Sequence, residues 1–244
     1  MKPVFTVVLV ALLALSAYKY FQKPVVEKVP EPAGLMVKKP TAQVESAMKV
    51  PEGAITYTVD PSTSKIEWSS EKKLIVDWKH NGTVAIKSGE LYKVIDPIKG
   101  DSVMGKVVID MDSIVALDNL ANAKLIGHLK SPDFFDVATY PTATLEFTAV
   151  PDTPTEVTDK TGATYTATGM LTVRGKTNPI TFTVTSEETP EGMVTGTTDL
   201  VIDRSKFDIK FGSQSFFSLD ELKKNLIPDE VPLKITLSAK KVSM

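Results

Sequence analysis

Few side chains in this sequence are spaced for chemistry. The two histidines, His80 and His128, stand far apart in the chain. Either one, beside a carboxylate such as Asp77 or Asp133, would begin a metal site or an acid–base pair. Neither stands in the HExxH spacing that puts two imidazoles on one helix face, so the spacing favours hydrogen-bonded structural histidines. Asp110 and Asp112 point to the same face of a strand, yet no calcium-loop pattern follows them. No serine lies in a Gly-x-Ser-x-Gly elbow. The chain has no cysteine, which excludes a thiolate nucleophile, a disulfide framework and a Cys-ligated zinc.

Two glycine-rich stretches come close to a phosphate loop. Gly100-Asp101-Ser102-Val103-Met104-Gly105-Lys106 has the right spacing up to the lysine. Val107 then replaces the hydroxyl that would hold magnesium, and the next residues favour a strand where a helix must open. Gly169 to Gly175-Lys176-Thr177 has five intervening residues instead of four, and they alternate as a strand does. Asp203-Arg204, with Lys206 and Asp208, concentrates charge at the end of an apolar strand. An ion pair tying a rim is the structural reading of that cluster, and contact with a ligand head group is the functional one. The residues assign no catalytic group, no metal site and no cofactor. A net charge of −2 gives no basic face for nucleic acid.

The elements that would position a site follow from hydropathy. The chain has 244 residues. Residues 1–21 open with Lys2 and an apolar run from Val4 to Ala17, which reads as a secretory signal peptide or an N-terminal membrane anchor. Ala14 and Ser16 suit peptidase cleavage before Ala17, whereas Tyr18, Tyr20 and Phe21 suit retention at a membrane interface. Residues 22–54 are punctuated by Pro24, Pro30, Pro32, Pro40 and Pro51 and read as a flexible linker. Residues 55–244 form one domain.

In that domain the period is two. Leu145, Phe147 and Ala149 share one face of their segment; Ile180, Phe182 and Val184 do so in another, and Leu233, Ile235 and Leu237 in a third. Further strands are read at 66–68, 83–87, 90–95, 104–111, 165–173 and 194–202. Alternation over about eight to ten such segments indicates antiparallel sheet with one face dry. Asn81-Gly82, Ser88-Gly89 and Pro190-Glu191-Gly192 are read as turns. Two segments have helical spacing instead. One, 117–129, carries Leu117, Ala121, Leu125 and Leu129 and ends at Ser131-Pro132. The other starts at Ser218 with Glu221 in a capping box and a Leu219, Leu222, Leu226 stripe. The class is all-β, and periodicity alone leaves sandwich and barrel open.

Four motifs together resemble the YceI-like family: His80-Asn81-Gly82 with Ser88-Gly89-Glu90-Leu91; His128-Leu129-Lys130-Ser131-Pro132-Asp133-Phe134-Phe135-Asp136 with Tyr140-Pro141-Thr142-Ala143; Thr168-Gly169-Met170-Leu171-Thr172-Val173-Arg174-Gly175-Lys176-Thr177; and Ile202-Asp203-Arg204-Ser205-Lys206-Phe207. The resemblance implies a lipocalin-like, up-and-down antiparallel β-barrel of about eight strands with two short helices. It also implies a periplasmic protein, some of whose relatives hold a polyisoprenoid or quinone-like chain in the barrel. On that reading the inward strand faces nominate Leu145, Phe147, Val173, Phe182, Val184 and Ile202 as ligand-binding residues. Phe134, Phe135, Phe216 and Phe217, outside the strands, are expected to guard a mouth.

The expected partner is an amphiphilic lipid, carried or sequestered in the periplasm. The N-terminal segment would tether the protein to the inner membrane if it is retained. The alternative is a ligand-free, tethered barrel that acts as an interaction module. Pairing of two barrels is left open.

Overall fold

Alternating residues can bury one face of a sheet only if that face meets another wall, and this sheet meets itself. A computed structural model describes residues 48–72, 75, 78–96, 100–117, 123–151 and 162–242, all within the compact unit Ala47–Met244. The residues read as signal or anchor, and the linker up to residue 47, lie outside the described residues. Residues 48–54 carry a turn and no strand.

The strands among the described residues are β1 (Ile55–Val59), β2 (Lys65–Glu71), β3 (Lys79–Val94), β4 (Ser102–Ala116), β5 (Thr142–Pro151), β6 (Ala163–Val173), β7 (Lys176–Glu188), β8 (Met193–Asp203) and β9 (Glu230–Lys241). All pairings are antiparallel, and β3–β4 pairing closes the sheet. Strand β1 pairs with β3 around Leu91 and β2 pairs with β3 around Gly82, while both also pair with β9. The two are therefore one stave interrupted at residues 60–64, and the barrel has eight staves. It is the lipocalin-like barrel that the motifs implied.

Asn81-Gly82 and Ser88-Gly89 are not turns. Both lie inside the 16-residue strand β3, next to register shifts at Thr83/Ala85 and Ile86/Ser88. Gly82 answers a close approach: a Cβ there would lie 1.8 Å from the Val115 carbonyl oxygen and 2.7 Å from the Trp68 ring. The two-residue turn that does demand positive φ is Arg174-Gly175, at +51° and +69°, joining β6 to β7. Both central residues are left-handed, as a type I′ hairpin requires.

Helix α1 (Ala123–Lys130) packs on β4 and stops where the Ser131 hydroxyl donates to the His128 carbonyl, just before Pro132. Helix α2 (Leu219–Leu222) has the expected capping box between Ser218 and Glu221. Of its leucine stripe Leu222 is buried, but Leu219 is 62% exposed, because the helix lasts one turn and cannot hold a longer stripe against the barrel.

Both helices sit at the end where β4 and β8 finish and β5 and β9 begin, here called the helical end. Arg204 organises it. The residue is 2% exposed, and its guanidinium donates to the carbonyls of Pro228, Ile209, Phe211 and Ile227 at 2.9–3.0 Å. It also pairs with Asp229 at 3.3 Å and stacks over Phe134 at 5.7 Å. The charge cluster seen in the sequence is thus a clamp on the β8–β9 connection. Arg174 adds bonds to the Asp208 and Pro132 carbonyls, both at 2.6 Å. The segments that carried the family resemblance largely build this end.

Replacing Arg204 with Met leaves four carbonyls, two of them buried, without their donor and Asp229 without its cation. Urea unfolding is expected to show a loss of about 3–5 kcal/mol. Gly82→Ala should cost about 3 kcal/mol by overpacking against backbone. Gly127→Ala, in α1 with nothing within 4 Å of its Cβ position, should gain about 0.5–1 kcal/mol.

Candidate functional site

The barrel is solid at its helical end and hollow beyond. Inward residues Val173, Phe207 and Ile209 join Phe134 and Val137 in one packed cluster. From mid-barrel to the opposite, hairpin end lies a cavity of about 110 Å³. Its wall includes Leu91 of β3, Val103 and Val107 of β4, Leu145, Phe147 and Ala149 of β5, Tyr165 of β6, Phe182, Val184 and Ser186 of β7, Val194 and Thr198 of β8, and Ile235 and Leu237 of β9. Among the described residues, Tyr165, Ser186 and Thr198 supply its hydroxyls. The Thr198 hydroxyl is buried without a hydrogen-bond partner.

Phe147 is seated by missing side chains. It pairs with Gly105 on β4 and Gly169 on β6. A Cβ on Gly105 would come within 2.5 Å of the Phe147 ring, and one on Gly169 within 2.8 Å of its Cβ. Gly105 lets the ring lie against the wall, with its centroid 6.1 Å from that of Phe182, while Gly169 answers the approach of the Glu146 carbonyl oxygen, 2.3 Å from its Cβ position. The volume is comparable with the ~150 Å³ apolar cavity that accepts a benzene-sized molecule. A long chain would therefore have to move these two rings.

Of the six residues nominated for the lining, the structure brings Leu145, Phe147, Phe182 and Val184 to the cavity. Val173 and Ile202 do not line it. Val173 is 6% exposed inside the packed cluster and Ile202 packs against that cluster. Alternation reports which face a residue takes but not its depth along the barrel.

The four phenylalanines nominated for a mouth all lie at the helical end, away from the cavity. Phe134 is buried among His128, Phe211 and Arg204. Phe135 is half-buried against the core, and Phe216 and Phe217 are exposed. Phe134 and Phe135 lie there in the β4–β5 connection, and Phe216 and Phe217 in the β8–β9 connection that folds back on Arg204. Leu91, Tyr165, Val194 and Leu237 were missed, although extending the same parity along their strands would have found them.

The candidates for acid–base or metal chemistry stay apart. His80 is buried in β3 with its ring edge-on to Trp78. His128 packs between Phe134 and Phe211 in α1, and its Nε2 has no hydrogen-bond partner. Asp77 lies outside the described residues. The Asp110 carboxylate accepts from the Asp112 amide, and Asp112 pairs with Lys130 at 3.0 Å. Among the described residues no three His, Asp or Glu side chains converge on one point.

At the hairpin end the same inward parity continues into charge. Lys93 follows Leu91, Glu188 follows Ser186, and Asp101 precedes Val103. Lys93 Nζ lies 3.1 Å from Glu188 and 3.7 Å from Asp101, and the Tyr57 hydroxyl donates to Glu188 at 2.9 Å. Burial works against the charge on Glu188, but Tyr57, Lys93 and Lys241 hold its carboxyl below the ordinary range. Burial likewise opposes the charge on Lys93, and Glu188 and Asp101 outweigh it and raise the ammonium pKa. Burial, with Glu188 beside it, pushes the Tyr57 phenol up to about 12.

Fold and cavity together define a class: a lipocalin-like antiparallel barrel whose staves enclose an apolar space. The YceI-like domain model matches residues 57–239, and the chain belongs to that family. BcnA of Burkholderia cenocepacia is similar, at 26% identity and a TM-score of 0.51 over 74% of this chain and 98% of that one. A polyisoprenoid binding domain from Saccharophagus degradans, implicated in plant cell wall breakdown, shares the fold at 19% identity. Its TM-score is 0.53 over 77% of this chain and 99% of that one. No curated protein matches the chain. Among the described residues no helix is long and apolar enough to cross a membrane.

The shifts at the hairpin end set a pH window. A depressed carboxyl contributes stability above its ordinary value of 4.5 and loses it as pH falls through the lower folded value. A raised ammonium contributes below its ordinary 10.5 and loses it as pH rises past that. Glu188→Gln should therefore flatten the acid limb of stability against pH, by less than about 1 kcal/mol because the pair is partly solvated. Urea midpoints from pH 7 down to 3 check this.

Proposed function

We propose that the chain is a binding protein for a long apolar lipid of the isoprenoid type, which it carries or sequesters, and that it is not an enzyme. The observation that carries this reading is the cavity, an apolar space between sheet walls with three hydroxyls and no converging catalytic set among the described residues. Leu145, Phe147, Phe182 and Val184 would contact the chain. Each buried CH₂-sized group contributes about 0.8 kcal/mol, against a cost of association and ordering, so a lining without catalytic groups suffices for affinity. The polyisoprenoid-binding name of the Saccharophagus degradans relative agrees with this reading. The basic start and apolar run at the N-terminus support export to the periplasm. There the segment is either cleaved or kept as an inner-membrane tether.

A second reading, an envelope interaction module, draws on Phe211, Phe216, Phe217 and Leu219, all more than 40% exposed at the helical end. Native mass spectrometry of the protein from its own envelope fraction separates the two. The lipid reading expects a bound apolar mass that organic extraction removes. Protein that is empty as isolated, and still empty after incubation with polyprenols and quinones, supports the module. Val184→Phe should abolish lipid occupancy and stay within about 1 kcal/mol of parental stability if the space is open. A solid core would charge about 1–3 kcal/mol for the same overpacking.

A further inference from the structure

The ion pair between Lys93 and Glu188 spans the barrel. Strand β3 and strand β7 are separated by three staves on either side of the closed sheet, so the two residues face each other across a diameter. Each stands two positions beyond a residue of the cavity wall, Leu91 and Ser186. Tyr57, on the stave next to β3, donates to the same carboxylate, and Asp101, immediately before β4, flanks the ammonium. The cavity thus ends at a charged crossbar.

Tyr165 joins the two environments. Its ring lines the cavity, and its phenol lies within the electrostatic reach of Lys93, Asp101 and Glu188. Its hydroxyl makes no hydrogen bond among the described residues. Burial pushes its pKa up, so it remains a neutral donor across the physiological range. Lys93 spends its charge on two carboxylates, and Lys241 acts on one of the same two. No surplus cation is left among these groups, so an added anion would meet two carboxylates whose countercharge is already engaged.

We propose that this crossbar, with the Tyr165 hydroxyl, is a head-group site that accepts an uncharged oxygen head, an alcohol or a carbonyl, and rejects a phosphorylated one. The inference rests on the reading of the cavity as a lipid site. The tail lies along Phe147 and Phe182, and the head oxygen accepts from Tyr165 in the partly dehydrated space beneath the ion pair. A hydrogen bond left unmade in such a space discriminates strongly between ligands.

The test titrates the full chain with three probes that share one saturated tail: phytanol, phytanyl phosphate and the headless hydrocarbon phytane. The alcohol is expected to bind at least about tenfold more tightly than the phosphate. Tyr165→Phe should reduce alcohol binding to the level of phytane while leaving phytane unchanged. Asp101→Asn combined with Glu188→Gln should narrow the gap between alcohol and phosphate. If the phosphate binds as tightly as the alcohol, or Tyr165→Phe leaves the alcohol unaffected, the head-group site is overturned; phytane binding then keeps the lipid reading standing. If neither phytane nor the alcohol binds the parent protein, both the site and the lipid reading fall.

Discussion

The structure depends on a charge placed where charges are costly. Moving a guanidinium out of water costs several kcal/mol unless its protons find partners. Arg204 meets that demand with four backbone carbonyls, one carboxylate and an aromatic face. The carbonyls come from both sides of the long β8–β9 connection, so a segment with little regular structure acquires one conformation. Asp229 is fixed in turn by Ser215, whose hydroxyl donates to its other oxygen at 2.7 Å. The base of the barrel is closed by this polar network together with the apolar cluster of Phe134, Val137, Phe207 and Ile209.

From that closure follows the asymmetry of the interior. Residues near the base have a plug to pack on and form a solid core. Residues further along face only the opposite staves and leave a space between them. At the far end the staves are linked by ion pairs whose side chains are a quarter to two-fifths exposed. One end is held by many short bonds to backbone, the other by a few screened charges. Opening the second end would break the Tyr57–Glu188 bond and two screened ion pairs, and would leave the Arg204 network whole.

Much of this was legible in the sequence, and the failures have a common cause. Period-two alternation located the strands because burial of one face is a local property. The capping box at Ser218 and Glu221 was legible for the same reason. Gly82 and Gly89 were misread as turns because a glycine required by a close neighbour looks like one required by positive φ until the neighbour is known. Val173 and Ile202 were placed on the correct face at the wrong depth, since depth is set by a plug that comes from elsewhere in the chain. The Lys93–Glu188 pair had no local signal at all: it exists only because an eight-stave sheet closes and brings β3 opposite β7. The motifs that disclosed the family mark the scaffold rather than the hollow end.

Gly105 and Gly169 bear on how such a cavity can be inherited. The room available to a guest is written partly in side chains that are absent, one strand to either side of the ring they accommodate. The shape of the space can therefore change through residues that do not line it. Gain of a methyl group at Gly105 would push Phe147 off the wall, and loss of that aromatic would leave the Leu91 methyl as the neighbour at 2.8 Å; Gly169 stays bound by the Glu146 carbonyl oxygen, 2.3 Å from its Cβ position, whatever side chain stands at 147. Gly105 and Phe147 therefore form a heritable pair, expected to be replaced together, whereas Gly169 is held by backbone alone.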